Sequence, residues 1–136
     1  MQLAYRVLAD LIVVVHAAYV LWVVVGLLLV WIGWWRGWDW VRNFWMRTTH
    51  LVMILVVVAE SWWGITCPLT TWERYFRDLS GGQTYRGDFV AHVVHGLLFY
   101  DAPAWGFTLA YTLFGVAVLA SFLAVPPRRR PLRVPQ

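Results

Sequence analysis

Ionisable side chains that could do chemistry lie inside apolar stretches of this chain. Glu60 lies within the apolar run of residues 51–67, where a carboxyl group is costly unless it has a partner or a wet cavity. Residues spaced by three or four share one helical face, and here they are His50, Met53, Val57, Glu60, Gly64 and Cys67. We expect this face to point inward. A carboxyl group, imidazoles and a thiol could together transfer protons, ligate a metal or haem, or bind a quinone.

The four histidines fall into two predicted groups. If the first two apolar runs form antiparallel helices joined by a tight turn, His16 lies level with residues 62–65 and can neighbour Glu60. His50 lies ten residues from Glu60, about 15 Å along a helix axis, so we predict it near the inner boundary, apart from His16. If the short helix that carries the last two histidines caps the bundle, the predicted outer cluster consists of His16, Glu60, Cys67, His92 and His95.

Several interpretations of this outer cluster stay open. A structural ion pair or hydrogen bond between His16 and Glu60 competes with proton transfer or quinone binding. His92 and His95 share a helical face, but a zinc site needs further well-spaced ligands, so we predict no metal site. Haem b would need two axial histidines, which His16 with His92 or His95 could supply. We predict no cofactor, with haem b or a quinone as the alternative.

Composition indicates the class of protein that positions these groups. Of 136 residues, 61% are hydrophobic, 13% are charged and 11 are tryptophan, which a soluble domain of this size could not bury. Runs 8–32, 48–67 and 104–125 match the roughly 20 residues that cross a bilayer core of ~30 Å. The run 89–100 is too short to cross, so we predict a re-entrant, interfacial or buried helix there. The predicted fold class is an all-α integral membrane protein with three transmembrane helices.

An amphipathic helix is predicted between the second and third spans. Residues 70–73 form a capping box, and Gly81 and Gly82 would end the helix. Its apolar face consists of Trp72, Tyr75, Phe76 and Leu79. We expect this helix to lie on the outer membrane face as a lid over the bundle. The predicted organisation is a single helical membrane domain over residues 1–125 and a basic Pro/Arg-rich cytoplasmic tail over residues 126–136.

Arginine placement predicts the orientation, since the chain contains no lysine. Residues 33–47 carry three arginines against one aspartate, and residues 126–136 carry four arginines and no acid. Positively charged connections stay on the cytoplasmic side. We therefore predict a bacterial inner-membrane protein with its N-terminus outside and its C-terminus inside.

Several motifs carry a resemblance to a known family. They are Leu8-Ala9-Asp10-Leu11 with His16, then His50 placed seventeen residues before Cys67-Pro68-Leu69-Thr70, then the acid Glu73, and Phe89-x-x-His92. They resemble a family of small bacterial membrane proteins known only as a domain of unknown function. The resemblance implies that His16, His50, Cys67 and His92 are family-type positions, and it brings no established activity. An acid often precedes the last histidine in such proteins, whereas this chain has Ala91.

Two functions stay open from the sequence. The first is a non-catalytic accessory subunit of a larger, energy-transducing membrane complex, which suits a small chain without nucleotide-binding or nucleophile motifs. The second is a redox or cofactor-binding protein that holds haem, a quinone or a metal at the outer cluster. In both cases the expected partners are the lipid bilayer and a larger complex or a second copy of the chain, and no nucleic acid.

Overall fold

The computed structural model describes residues 1–82, 89–98 and 103–128, and within them every regular element is a helix. The helices are α1 (Gln2–Trp35), α2 (Phe44–Trp63), α3 (Pro68–Leu79), α4 (Phe89–Leu98) and α5 (Ala104–Ala124), with a 3₁₀ turn at Asp39–Arg42. Helices α1, α2 and α5 are long and apolar enough to cross a membrane. The predicted all-α membrane fold with three transmembrane helices is confirmed. The end of the predicted short helix, residues 99–100, and the tail beyond residue 128 lie outside the described residues.

Local interactions explain where helix α2 begins and ends. Asn43 is the N-cap, and its side-chain oxygen accepts hydrogen bonds from two N–H groups of the first turn. At the other end, Gly64 adopts φ +64°, a left-handed conformation that costs glycine little. Helix α2 therefore ends at Trp63, earlier than the predicted end at Cys67.

Helix α3 begins earlier than the capping box predicts. Pro68 lies in its first turn, where a missing N–H breaks no helical hydrogen bond, and Cys67 becomes the N-cap. Thr70 consequently lies inside the helix, where it is fully buried. The helix ends at Leu79, and Gly81 follows with φ +70°, as the glycine pair predicts.

Two hydrogen bonds set the register between α1 and α2. The Tyr19 hydroxyl donates to the carbonyl oxygen of Met53 over 2.7 Å. The Nε2 of His50 donates to the carbonyl oxygen of Val23, also over 2.7 Å. Gly26 makes room for this imidazole, since a Cβ at that position would lie 2.8 Å from the Cδ2 of His50. The missing side chain thus permits the two helices to approach.

This register corrects the expected depth of His16. The contacts place His16 level with residues 56–57, about 10 Å along the helix axis from the residues 62–65 that a tight turn would give. The cause is the connection between the helices. It folds back along the last turns of α1, where the side chain of Val41 packs directly on Gly33. Helix α2 therefore starts beside α1 rather than beyond its end.

Helix α5 packs antiparallel to α2. Near one end, the Ser61 hydroxyl donates to Thr108 Oγ1 over 2.7 Å. Near the other end, the Nη1 of Arg47 donates to Ser121 Oγ over 3.3 Å. Gly115 lies between these contacts and is buried against α2. Helix α2 thus packs on both α1 and α5, and α1 also contacts α5 and packs along α3.

The two registers give the three spanning helices a common depth. One level contains residues 8, 65 and 104, and the other contains residues 28, 45 and 124. The roughly 20 residues between these levels rise ~30 Å, the thickness of a bilayer core. We call the end near residue 8 the α3 side, because α3 packs there against α1, and the opposite end the arginine side.

The substitution Gly26→Ala is expected to destabilise the fold by about 1–3 kcal/mol, because the new methyl group would push the His50 ring away from the Val23 carbonyl oxygen. Gly106→Ala is the matched control, since its nearest neighbouring atom would lie 3.8 Å away and the helix should gain slightly. The stability of both variants is measured by unfolding the detergent-solubilised protein with a rising fraction of sodium dodecyl sulfate, using circular dichroism to monitor the loss of helix. Equal stability of the two variants would contradict the described register.

Candidate functional site

A cavity of about 440 Å³ lies between α1, α2 and α5 and is bordered by the start of α3. This volume falls within the range of small-molecule sites in proteins. Aliphatic and aromatic side chains supply nearly all of the surface, among them Val20, Val23 and Phe114. The polar side chains in the wall are those of His16, Tyr19, Glu60, Ser61, Cys67, Thr70 and Tyr111. The cavity is therefore apolar, with a few convergent polar groups.

Polarity changes along the depth of the cavity. Glu60 and Ser61 lie in the last turn of α2, so these groups border the cavity toward the α3 side. Ile54 and Tyr19 lie near the bilayer centre, with the Tyr19 hydroxyl hydrogen-bonded to the Met53 carbonyl oxygen, and aliphatic Val23 lies beyond the centre toward the arginine side. The cavity thus has one polar end and one apolar end.

The structure brings three of the predicted cluster residues to this cavity. His16 is buried, with 6% of its surface exposed, while Glu60 and Cys67 are half-buried. His92 and His95 are exposed on α4 and are not among the residues that line the cavity. Within the described residues, the cavity therefore contains His16, Glu60 and Cys67 without the two α4 histidines.

His50 lies apart from this site. Only 1% of its surface is exposed, and its Nε2 is engaged by the Val23 carbonyl oxygen. It lies ten residues below Glu60 on α2, about 15 Å along the axis. The role that the structure supports for His50 is helix packing, because its ring fills the space above Gly26.

The sequence interpretation missed several residues of the wall. Tyr19 lies three residues after His16, on the same helical face, and this spacing was the signal that could have found it. Ser61 lies beside Glu60, and its hydrogen bond to Thr108 closes the gap between α2 and α5. Thr70 belongs to the Cys-Pro-Leu-Thr segment and lines the cavity. No sequence pattern indicates this contact.

An ion-pair network fixes α3 against α1 next to the cavity. Arg77 Nε donates to Glu73 Oε1 over 2.8 Å, and Arg77 Nη2 lies 3.4 Å from Asp10 Oδ1. Glu73 has only 2% of its surface exposed, so its charge needs this partner. The hydrogen bond to Glu73 raises the pKa of Arg77 above its ordinary value, so the pairing favours the charged guanidinium.

Three of the four predicted lid residues of α3 lie on the opposite side of the helix from this network. Trp72 is 57% exposed and Tyr75 is 59% exposed, and Leu79 also points away from the bundle. Phe76 stacks on Tyr5 of α1 at 6.3 Å between ring centroids. Trp72 also lines the cavity. Helix α3 therefore turns its polar side to α1 and most of its aromatic side outward.

The donor set within the described residues does not favour a metal or haem site. Among residues 1–82, 89–98 and 103–128, no group of three or more His, Cys, Asp and Glu could hold a metal ion. His16 is the histidine among the cavity-lining residues, whereas haem b with two histidine ligands requires a second on a facing element.

The fold and this site define a small helical membrane protein with three spans and an intramembrane cavity. The chain belongs to the family described as Protein of Unknown function (DUF2784), whose model matches residues 6–127. The family resemblance drawn from the sequence is thereby confirmed. That the Cys-Pro-Leu-Thr box is the most specific feature of this family stays a prediction. No curated protein and no solved structure matches the chain.

Proposed function

We propose that the protein binds a quinone-type molecule from the bilayer in the cavity between α1, α2 and α5. The observation that carries this proposal is the polarity gradient of the cavity, from Glu60 and Ser61 at one end, past His16 near the bilayer centre, to aliphatic side chains such as Val23 at the other end. A quinone has the same asymmetry, with a polar ring and an apolar isoprenoid tail. Its ring would lie toward the α3 side and its tail would extend past the bilayer centre toward the arginine side.

The polar end favours a neutral head group that accepts hydrogen bonds. A carboxylate head, as in a fatty acid, would lie in the same cavity as Glu60, and two carboxylates at one site disfavour each other's charge. Quinone carbonyl oxygens carry no such charge, and the His16 imidazole can donate a hydrogen bond to one of them. Glu60 and His16 are also groups that could exchange protons with a quinol.

Filling the cavity is expected to weaken quinone binding. Val20 lines the cavity on α1 and is half-buried, so Val20→Phe should place a ring in the ligand space and weaken binding roughly tenfold or more. Val14→Phe is the matched control, because Val14 lies on the same helix, is 63% exposed and does not line the cavity. Equilibrium dialysis of the detergent-solubilised protein with a short-chain benzoquinone measures the affinities. Undiminished binding by Val20→Phe would refute this site.

A second candidate function is that of an accessory subunit of a larger membrane complex. The observation that favours it is the outward side of α3, where Trp72 is 57% exposed and Tyr75 is 59% exposed. An exposed aromatic surface of this kind can pack on a partner protein. Native electrophoresis of gently solubilised membranes should then show the chain well above its own 15.8 kDa. Migration as a single chain in its detergent micelle would count against this function.

We also propose that the protein resides in a bacterial inner membrane with its N-terminus outside and the arginine side in the cytoplasm. The charge asymmetry of the sequence supports this orientation. In a Cys67→Ser background, a cysteine at exposed Thr66 should react in intact cells with a membrane-impermeant thiol reagent, and a cysteine at Gln136 should react only after lysis. The reverse labelling pattern would invert the proposed topology.

A further inference from the structure

The arginine side brings together two arginines that lie far apart in the sequence. The backbone N–H of Arg128 donates to the carbonyl oxygen of Arg42 over 2.7 Å. The Nε of Arg42 donates in turn to the carbonyl oxygen of Pro126 over 3.4 Å. These bonds hold the segment after α5 against the 3₁₀ turn before α2. Two guanidinium groups are therefore carried on adjoining backbone, Arg42 half-buried and Arg128 exposed.

A third cation lies behind this pair. Arg47 is 1% exposed and donates to the neutral groups of Ser121 and Val125, over 3.3 and 3.4 Å. Its Nε is buried and has no hydrogen-bond partner among the described residues. Within the part of the chain that the structure describes, the salt bridges are those of Arg77 on the α3 side. No described carboxylate therefore forms a salt bridge with Arg42, Arg47 or Arg128.

The depth of this cluster matches the position of lipid phosphates. Arg47 lies next to the level of residues 28, 45 and 124, about 30 Å from the opposite boundary of the spanning helices. Arg42 and Arg128 lie just beyond the ends of α2 and α5 on the same side. Lipid phosphates lie immediately outside the hydrocarbon core, so they are at the height of these side chains.

We propose that Arg42 and Arg128 bind the phosphate of an acidic membrane phospholipid. The buried Arg47 guanidinium adds positive electrostatic potential at this site. Guanidinium groups bind phosphate oxygens through paired N–H donors, and the geometry of the fork favours arginine over lysine. An anion at this position would reduce the repulsion between like charges that the Arg42–Arg128 backbone contact brings together. This site is independent of the cavity on the α3 side and of the quinone proposed there.

Binding of phosphatidylglycerol, measured by native mass spectrometry of the detergent-solubilised full chain, tests this site with phosphatidylcholine as the neutral reference. Each of Arg42→Gln and Arg128→Gln should weaken the preference for phosphatidylglycerol about fivefold, and the double variant about 25-fold. The double lysine variant should keep part of the preference, because lysine retains the charge without the fork. Unchanged binding of phosphatidylcholine by all variants shows that the fold is intact.

Arg6→Gln is the control, since Arg6 is an exposed arginine of α1 on the α3 side and its loss should leave the preference unchanged. Equal preference in the wild type and in the double glutamine variant would overturn the proposal. So would an equal loss in Arg6→Gln, which would indicate attraction by net charge alone. Displacement of the lipid by excess inorganic phosphate would overturn it in favour of a site for free phosphate.

Discussion

The hydrogen bond from His50 to the Val23 carbonyl oxygen, made possible by the missing side chain of Gly26, sets the architecture of this protein. In lipid, apolar surface gives little reason for one helix to choose a particular partner or register, so small residues and polar contacts decide both. Here one imidazole fixes how far α2 is shifted along α1. That shift aligns the spanning helices in depth. It also places His16 in the wall of the cavity.

Helix α3 has the reverse of the polarity expected for a helix lying on a water-exposed protein. Its charged residues Glu73 and Arg77 face α1, while Trp72 and Tyr75 face outward. This arrangement is stable next to membrane-spanning helices, because the surroundings are lipid and its interface, where aromatic rings are favoured and unpaired charges are not. The ion pair with Asp10 therefore contributes both to the position of α3 and to the wall of the cavity.

The sequence predicts those parts of the structure that depend on periodicity and composition. Apolar length predicts the three spans, and helical spacing together with the cost of a buried carboxyl group leads to His16 and Glu60. The register between α1 and α2 could not be predicted from the sequence. It depends on the packing of individual groups, such as Val41 on Gly33, which no periodic pattern encodes. The helix ends show the same limit, since Gly64 continues the spacing of α2 while its backbone conformation ends the helix.

Arg47 has a consequence for the order in which the chain is inserted into the membrane. Its hydrogen-bond partners Ser121 and Val125, and the Phe122 ring 5.5 Å from its guanidinium carbon, all come from the end of α5. When α1 and α2 have left the ribosome, none of these groups has yet been synthesised. The guanidinium must then stay in water or among head groups until α5 arrives, because a lone cation in hydrocarbon is costly. Arg47 thus becomes buried only when the last span packs on α2, because that span supplies the groups that surround the guanidinium.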